Sequence, residues 1–67
     1  MSPRTIRLDV PDEAEGERLD AFLAARHPDR SRSVWKRIIE EGLVAVDGRT
    51  AAKPGTPLKS GMAIEAT

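Results

Sequence analysis

Pro28 is the residue that most constrains what this chain can fold into. On either side of it lie two apolar stripes at helical spacing. Leu19, Phe22 and Leu23 fall at i, i+3 and i+4, and Val34, Trp35, Ile38 and Ile39 repeat the pattern. Such spacing places each set on one face of a helix. A proline pushes the residue before it out of the α region, so the first helix must stop at His27. The spacing therefore predicts helices from about Glu17 to Arg26 and from about Ser31, with only His27 to Ser31 between them. A loop that short makes the two helices a tight pair. Ser31 suits the N-cap of the second helix, and Gly42 suits a left-handed cap at its end.

The flanking segments read as strands. Ile6, Leu8 and Val10 alternate with Arg7 and Asp9, a period-two pattern that Pro11 ends, and the acidic stretch up to Gly16 reads as a loop. Leu43 to Val46 is a short apolar run. Asp47-Gly48 is a strong two-residue hairpin signal, and Arg49 to Ala52 returns from it. Pro54, Gly55 and Pro57 force a loop. Ser60-Gly61 turns again, and Met62, Ile64 and Ala66 alternate as a last strand. The expected fold is α+β: a helix-turn-helix-like edge on a small, mostly antiparallel sheet.

With 67 residues there is room for a single domain, taken as residues 1–67 with a core at about 17–66 and a leading strand at about 5–10. The absence of cysteine leaves no disulfide framework or thiolate metal site, and one histidine, His27, cannot build a metal centre. No metal or cofactor is expected. No Gly-rich phosphate loop and no nucleophile–base constellation is present, so the chain is not expected to be an enzyme by itself. No apolar run reaches the roughly 20 residues of a membrane span, and no secretory signal opens the chain. A cytoplasmic, monomeric protein is the default expectation.

Charge is balanced overall but not locally. The chain carries 11 basic and 11 acidic residues. Asp9 to Asp20 holds six acids and one base, a sum of −5, whereas Arg26 to Arg37 holds five bases and one acid, a sum of +4. A neutral molecule can thus present a basic face. The second helix begins Arg30-Ser31-Arg32-Ser33 and continues with Lys36 and Arg37. Arg32 and Lys36 are one turn apart, beside the apolar stripe. Serine hydroxyls and the free amides of a helix N-terminus complete a set that suits a phosphate group. The alternative is a solvated helix face in which Glu40 pairs with Arg32 or Lys36. Arg18 and Asp20 either pair locally or act together, Asp20 holding a basic side chain on the same edge. Arg49 and Lys53 could extend that surface. Trp35 reads as core or as part of an interdomain contact.

Taken in order, these motifs resemble the RNA-binding domain named after ribosomal small-subunit protein S-four, the alpha-L motif. The resemblance rests on Arg18-Leu19-Asp20 with Phe22 and Leu23, Ser31-Arg32-Ser33, Ile39-Glu40-Glu41-Gly42, Val44-Ala45-Val46-Asp47-Gly48-Arg49, Lys53-Pro54 and Gly61-Met62-Ala63-Ile64. Asp47, Arg49 and Met62 stand where that family commonly has Asn, Lys and Asp. The leading Thr5-to-Pro11 segment, followed by Gly16-Glu17-Arg18-Leu19-Asp20, is similar to the start of ribosomal RNA pseudouridine synthases. The resemblance implies an RNA-binding module for structured RNA, ribosomal targets, and a tethered catalytic domain beyond this chain. It implies RNA-binding roles for Arg18, Asp20, Arg30, Ser31, Arg32, Ser33, Lys36, Arg37, Arg49 and Lys53. The rival reading is a protein-interaction or interdomain docking module centred on Trp35 and its neighbours.

Overall fold

A computed structural model describes residues 5–66; residues 1–4 and 67 of the expected single domain lie outside the described residues. The elements run β1 (Ile6–Asp9), a 3-10 turn (Asp12–Ala14), α1 (Leu19–Arg26), α2 (Arg32–Glu40), β2 (Val44–Val46), β3 (Arg49–Thr50) and β4 (Ala63–Ala66). The α+β expectation holds: two helices pack on a four-stranded sheet.

Every strand pairing is antiparallel, in the order β1-β4-β2-β3. The last strand sits inside the sheet. Ile64 opposes Leu8 on one side and Val46 on the other. Alternation along β4 sends Ile64 and Ala66 into the core and leaves Ala63 and Glu65 half-buried on the other face. The β2–β3 hairpin turns at Asp47 (φ 51°) and Gly48 (φ 82°), the two successive positive values that a tight primed turn requires.

The core is mostly aliphatic, built around Trp35 and Phe22 with Leu19, Leu23, Ile39, Val44, Leu58 and Ile64. Trp35 is 0% exposed, and its indole Nε1 donates to the His27 carbonyl at 3.4 Å. Val34, expected in the stripe of α2, is 44% exposed, since it lies on the flank away from Trp35 and Ile39.

Two expectations are corrected. The acidic stretch is not a simple loop: Asp12–Ala14 form a 3-10 turn that buries Ala14. The first helix begins at Leu19, not at Glu17. Glu17 and Arg18 are held extended by the segment 54–58. Leu58 N donates to Glu17 O at 2.9 Å, Gly16 N donates to Leu58 O at 2.7 Å, and Arg18 bridges to Pro57. Pairing at a sequence distance of some 40 residues overrides the local helical pattern.

Candidate nucleic-acid interface

Asp20 is the centre of the site. It lies in the first turn of α1, and its side chain is 0% exposed. A buried carboxylate is costly unless it is paired and hydrogen-bonded. Here one oxygen, Oδ1, accepts from Arg18 Nε at 3.2 Å and from the Ala21 amide at 2.8 Å. The other, Oδ2, accepts from Arg18 Nη2 at 3.3 Å and from Arg32 Nε at 3.2 Å. Burial alone would raise the Asp20 pKa. The hydrogen bonds from Arg32, the Ala21 amide and Arg18 outweigh it, and the pKa lies below the usual value of 3.8. Asp20 therefore stays ionised at neutral pH.

The arginines are the exposed part of this cluster. Arg18 and Arg32 each leave 52% of their side chain open to solvent. One carboxylate thus holds two guanidinium groups from two different helical ends side by side. Three charges in contact sum to +1, and the positive ends face water. Asp20 itself lies behind them, so its place in the expected set is as the group that positions both arginines.

The two helix starts differ in what their amides do. At α1 the first amides are taken: Leu19 N donates to Thr56 O at 3.0 Å and Asp20 N to Pro54 O at 3.1 Å. At α2 the Ser31 hydroxyl accepts from Val34 N at 3.3 Å, while Arg32 N and Ser33 N have no protein acceptor among the described residues. Free amides at a helix N-terminus favour an anion. The open end of α2 is the end that carries Arg32.

The loop 53–56 closes the arrangement from the other side. Thr56 caps a turn by donating from its N and Oγ1 to Lys53 O at 3.1 and 2.6 Å. Gly55 lies against the Arg18 guanidinium, where a Cβ would sit 3.4 Å from Nη2. Lys53 and Arg49 line one shallow depression with Val46, Thr50, Ala51, Ala52 and Thr56. Arg49 and Lys53 thus border the loop whose Gly55 meets Arg18, which in turn bonds to Asp20 beside Arg32. The sequence pattern marks Gly55 only as part of a forced loop. Its closeness to Arg18 has no signal in the local pattern beyond the Lys53-Pro54-Gly55 step itself.

The remaining basic residues divide. Lys36, one turn after Arg32, is exposed on the same flank of α2. Arg37 is exposed but lies about 140° around the helix from Arg32, facing away from the core. Ser33 is exposed at about 100° from Arg32. Glu40 forms no ion pair with Arg32 or Lys36 among the described residues; the pairs present are Arg7–Glu65, Arg18–Asp20 and Arg32–Asp20. Arg26 lies over the Phe22 ring at 4.9 Å. Arg30 lies over the Trp35 ring at 5.0 Å, a contact that the sequence did not suggest. His27 is half-buried, with its ring centroid 6.2 Å from that of Trp35. Trp35 is core, which leaves it no surface for docking.

Residues 17–64 match the family model described as the S4 domain. The chain belongs to the S4 domain family. The match begins at Glu17, so β1 and the 3-10 turn lie outside it. They are nevertheless part of the fold, because β1 covers one edge of β4 and Val10 and Ala14 enter the core. This S4 domain is 48% identical over 54 residues to an uncharacterized RNA pseudouridine synthase of Aquifex aeolicus, covering 81% of this chain and 17% of that protein. It is 41% identical over 56 residues to the ribosomal large subunit pseudouridine synthase D of Xanthomonas campestris, covering 84% of this chain and 17% of that protein. It is also 48% identical over 44 residues to the RQC P-site tRNA stabilizing factor of Listeria innocua, covering 66% and 47% respectively. The chain thus spans about a sixth of the length of the pseudouridine synthases it matches. No helix among the described residues is long and apolar enough to cross a membrane.

Proposed function

We propose that this S4 domain binds structured RNA through the edge formed by Arg18, Arg32 and Lys36 with the N-terminus of α2. The observation that carries the reading is the pair of half-exposed guanidiniums fixed by one buried carboxylate. A planar guanidinium suits phosphate, and holding two in place removes part of the entropy cost of ordering them on binding. Side chains cannot read the deep groove of an RNA helix, so recognition is of backbone and shape. Arg49 and Lys53 extend the contact, and Ser31, Ser33 and Arg37 border it.

The pseudouridine synthase relatives support a context in which the domain is the targeting part of such an enzyme. The catalytic domain lies elsewhere in the protein, and ribosomal RNA in the cytoplasm is the substrate. The S4 domain, monomeric and without chemistry of its own, raises the concentration of the tethered enzyme at its site. The tRNA-stabilizing relative supports the same RNA-gripping role without that chemistry.

The test is titration of a labelled structured RNA at several salt concentrations. With about three or four phosphates neutralised, the slope of log K against log salt should lie between about −2 and −4. Arg32→Glu combined with Lys36→Glu should weaken binding by at least about tenfold. Binding that ignores salt, or that survives both charge reversals, refutes the reading.

A further inference from the structure

Arg30 differs from the other arginines of the edge. It immediately precedes Ser31, the N-cap of α2, and so stands at the same helix end as Arg32. No carboxylate holds it; among the described residues it has no ion pair, and neighbouring Asp29 does not reach it. What holds it is the Trp35 ring, 5.0 Å from its Cζ, and a backbone bond from its N to His27 O at 3.2 Å. Its Nη1 is buried without a hydrogen-bond partner, yet the residue as a whole is only half-buried.

This geometry limits what Arg30 can do. An end-on grip of phosphate uses both terminal nitrogens, and burial of Nη1 closes that mode. The group belongs to a residue that still exposes part of its surface. It is planar, fully charged and backed by a buried aromatic ring.

Resting on the RNA-binding reading above, we infer that Arg30 is a stacking plate for one unpaired base beside the stem gripped by Arg18 and Arg32. Guanidinium planes accept splayed-out bases in this way, and stacking tolerates any base because each has a π-face. The preferred ligand is then a stem interrupted by an unpaired nucleotide, not a continuous duplex.

The test uses the 67-residue chain and a hairpin RNA with a fully paired stem, compared with versions carrying one unpaired purine at successive positions. At least one bulged version should bind about fivefold or more tighter than the paired stem. Arg30→Lys keeps the charge and loses the plane. It should bring the two affinities within about twofold of each other while leaving the salt dependence unchanged. Trp35 is the chain's single tryptophan, so its emission in the unaltered protein is a second readout. It should shift with the preferred bulged RNA and not with the paired stem, whatever Arg30→Lys does to folding. Equal binding of all the RNAs, an equal emission response, or a preference that survives in a folded Arg30→Lys variant overturns the inference. Loss of binding to every RNA by the unaltered chain overturns the RNA-binding reading with it.

Discussion

Arg32 Nε lies 3.2 Å from Asp20 Oδ2, although twelve residues and a helix–helix turn separate them in the chain. Arg18 occupies the same carboxylate from two residues away. The contact ties the start of α2 to the start of α1. It makes the orientation of both arginines depend on one buried group.

Replacing that group should therefore affect both stability and RNA affinity. Asp20→Asn keeps the shape and one acceptor but removes the charge, leaving the two arginines repelling each other without a counter-ion. Because both arginines are half exposed, water takes over part of the loss. The expected destabilisation is about 1–3 kcal/mol, read by urea unfolding. RNA affinity measured where the variant is fully folded should also fall, although Asp20 is buried behind the arginines. An unchanged affinity would show that the arginines do not need it.

Acid should act through the same carboxylate. The Asp20 pKa is lowered in the folded state, so its ionised form favours folding. That contribution is fully present above the unfolded value of about 3.8 and is lost as pH falls through the folded value. The difference in stability between the unaltered chain and Asp20→Asn should be constant above about pH 5 and shrink below about pH 4. Thermal melts of both proteins from neutral pH to pH 2 measure it. A difference that grows on acidification would contradict the assignment.

Gly55 offers a way to move Arg18 without touching charge. Its φ is not in the left-handed region, so a side chain there meets Arg18 and not backbone strain. Gly55→Val should push the guanidinium aside and weaken RNA binding by about threefold or more. Stability should stay within about 0.5 kcal/mol, as for most exposed positions. Gly55→Ala, whose Cβ needs only a small shift of a flexible side chain, should do little. Parallel titration and melting of the two variants separate these effects.

The hairpin tip is a control for folding. Asp47 adopts φ 51°, and its Oδ1 accepts from Ala63 N at 2.8 Å while its own N donates to Ala63 O at 2.8 Å. Asn keeps both the acceptor and the tolerance of this conformation, so Asp47→Asn should change stability by less than about 0.5 kcal/mol. Asp47→Ala loses both and should cost about 1–2 kcal/mol, or about 4–16 °C in Tm for a domain of this size. RNA affinity of the folded variants should be unchanged.

Much of the local structure was legible before the fold. The stripes of Leu19-Phe22-Leu23 and Trp35-Ile39, the Ser31 cap, the Asp47-Gly48 turn and the alternation of Met62 to Ala66 all depend on residues a few positions apart. Their physics is contained in short windows. The basic character of α2 was legible for the same reason. Where the local pattern failed, a distant partner had intervened. Glu17 and Arg18 carry a helix-compatible pattern but are drawn into extended pairing by Pro57 and Leu58.

What the sequence determined by itself is thus the two helices and the main strands, most of the core residues they bear and the helix that bears the positive charge. Tertiary structure alone decided the remainder. It placed β4 between β1 and β2, where both edges of its backbone ladder are paired. It filled the first amides of α1 with carbonyls of the 54–56 loop and left those of α2 open. It also set one ionised carboxylate behind two arginines from separate segments. A buried charge demands partners, but which partners reach it depends on how the segments pack.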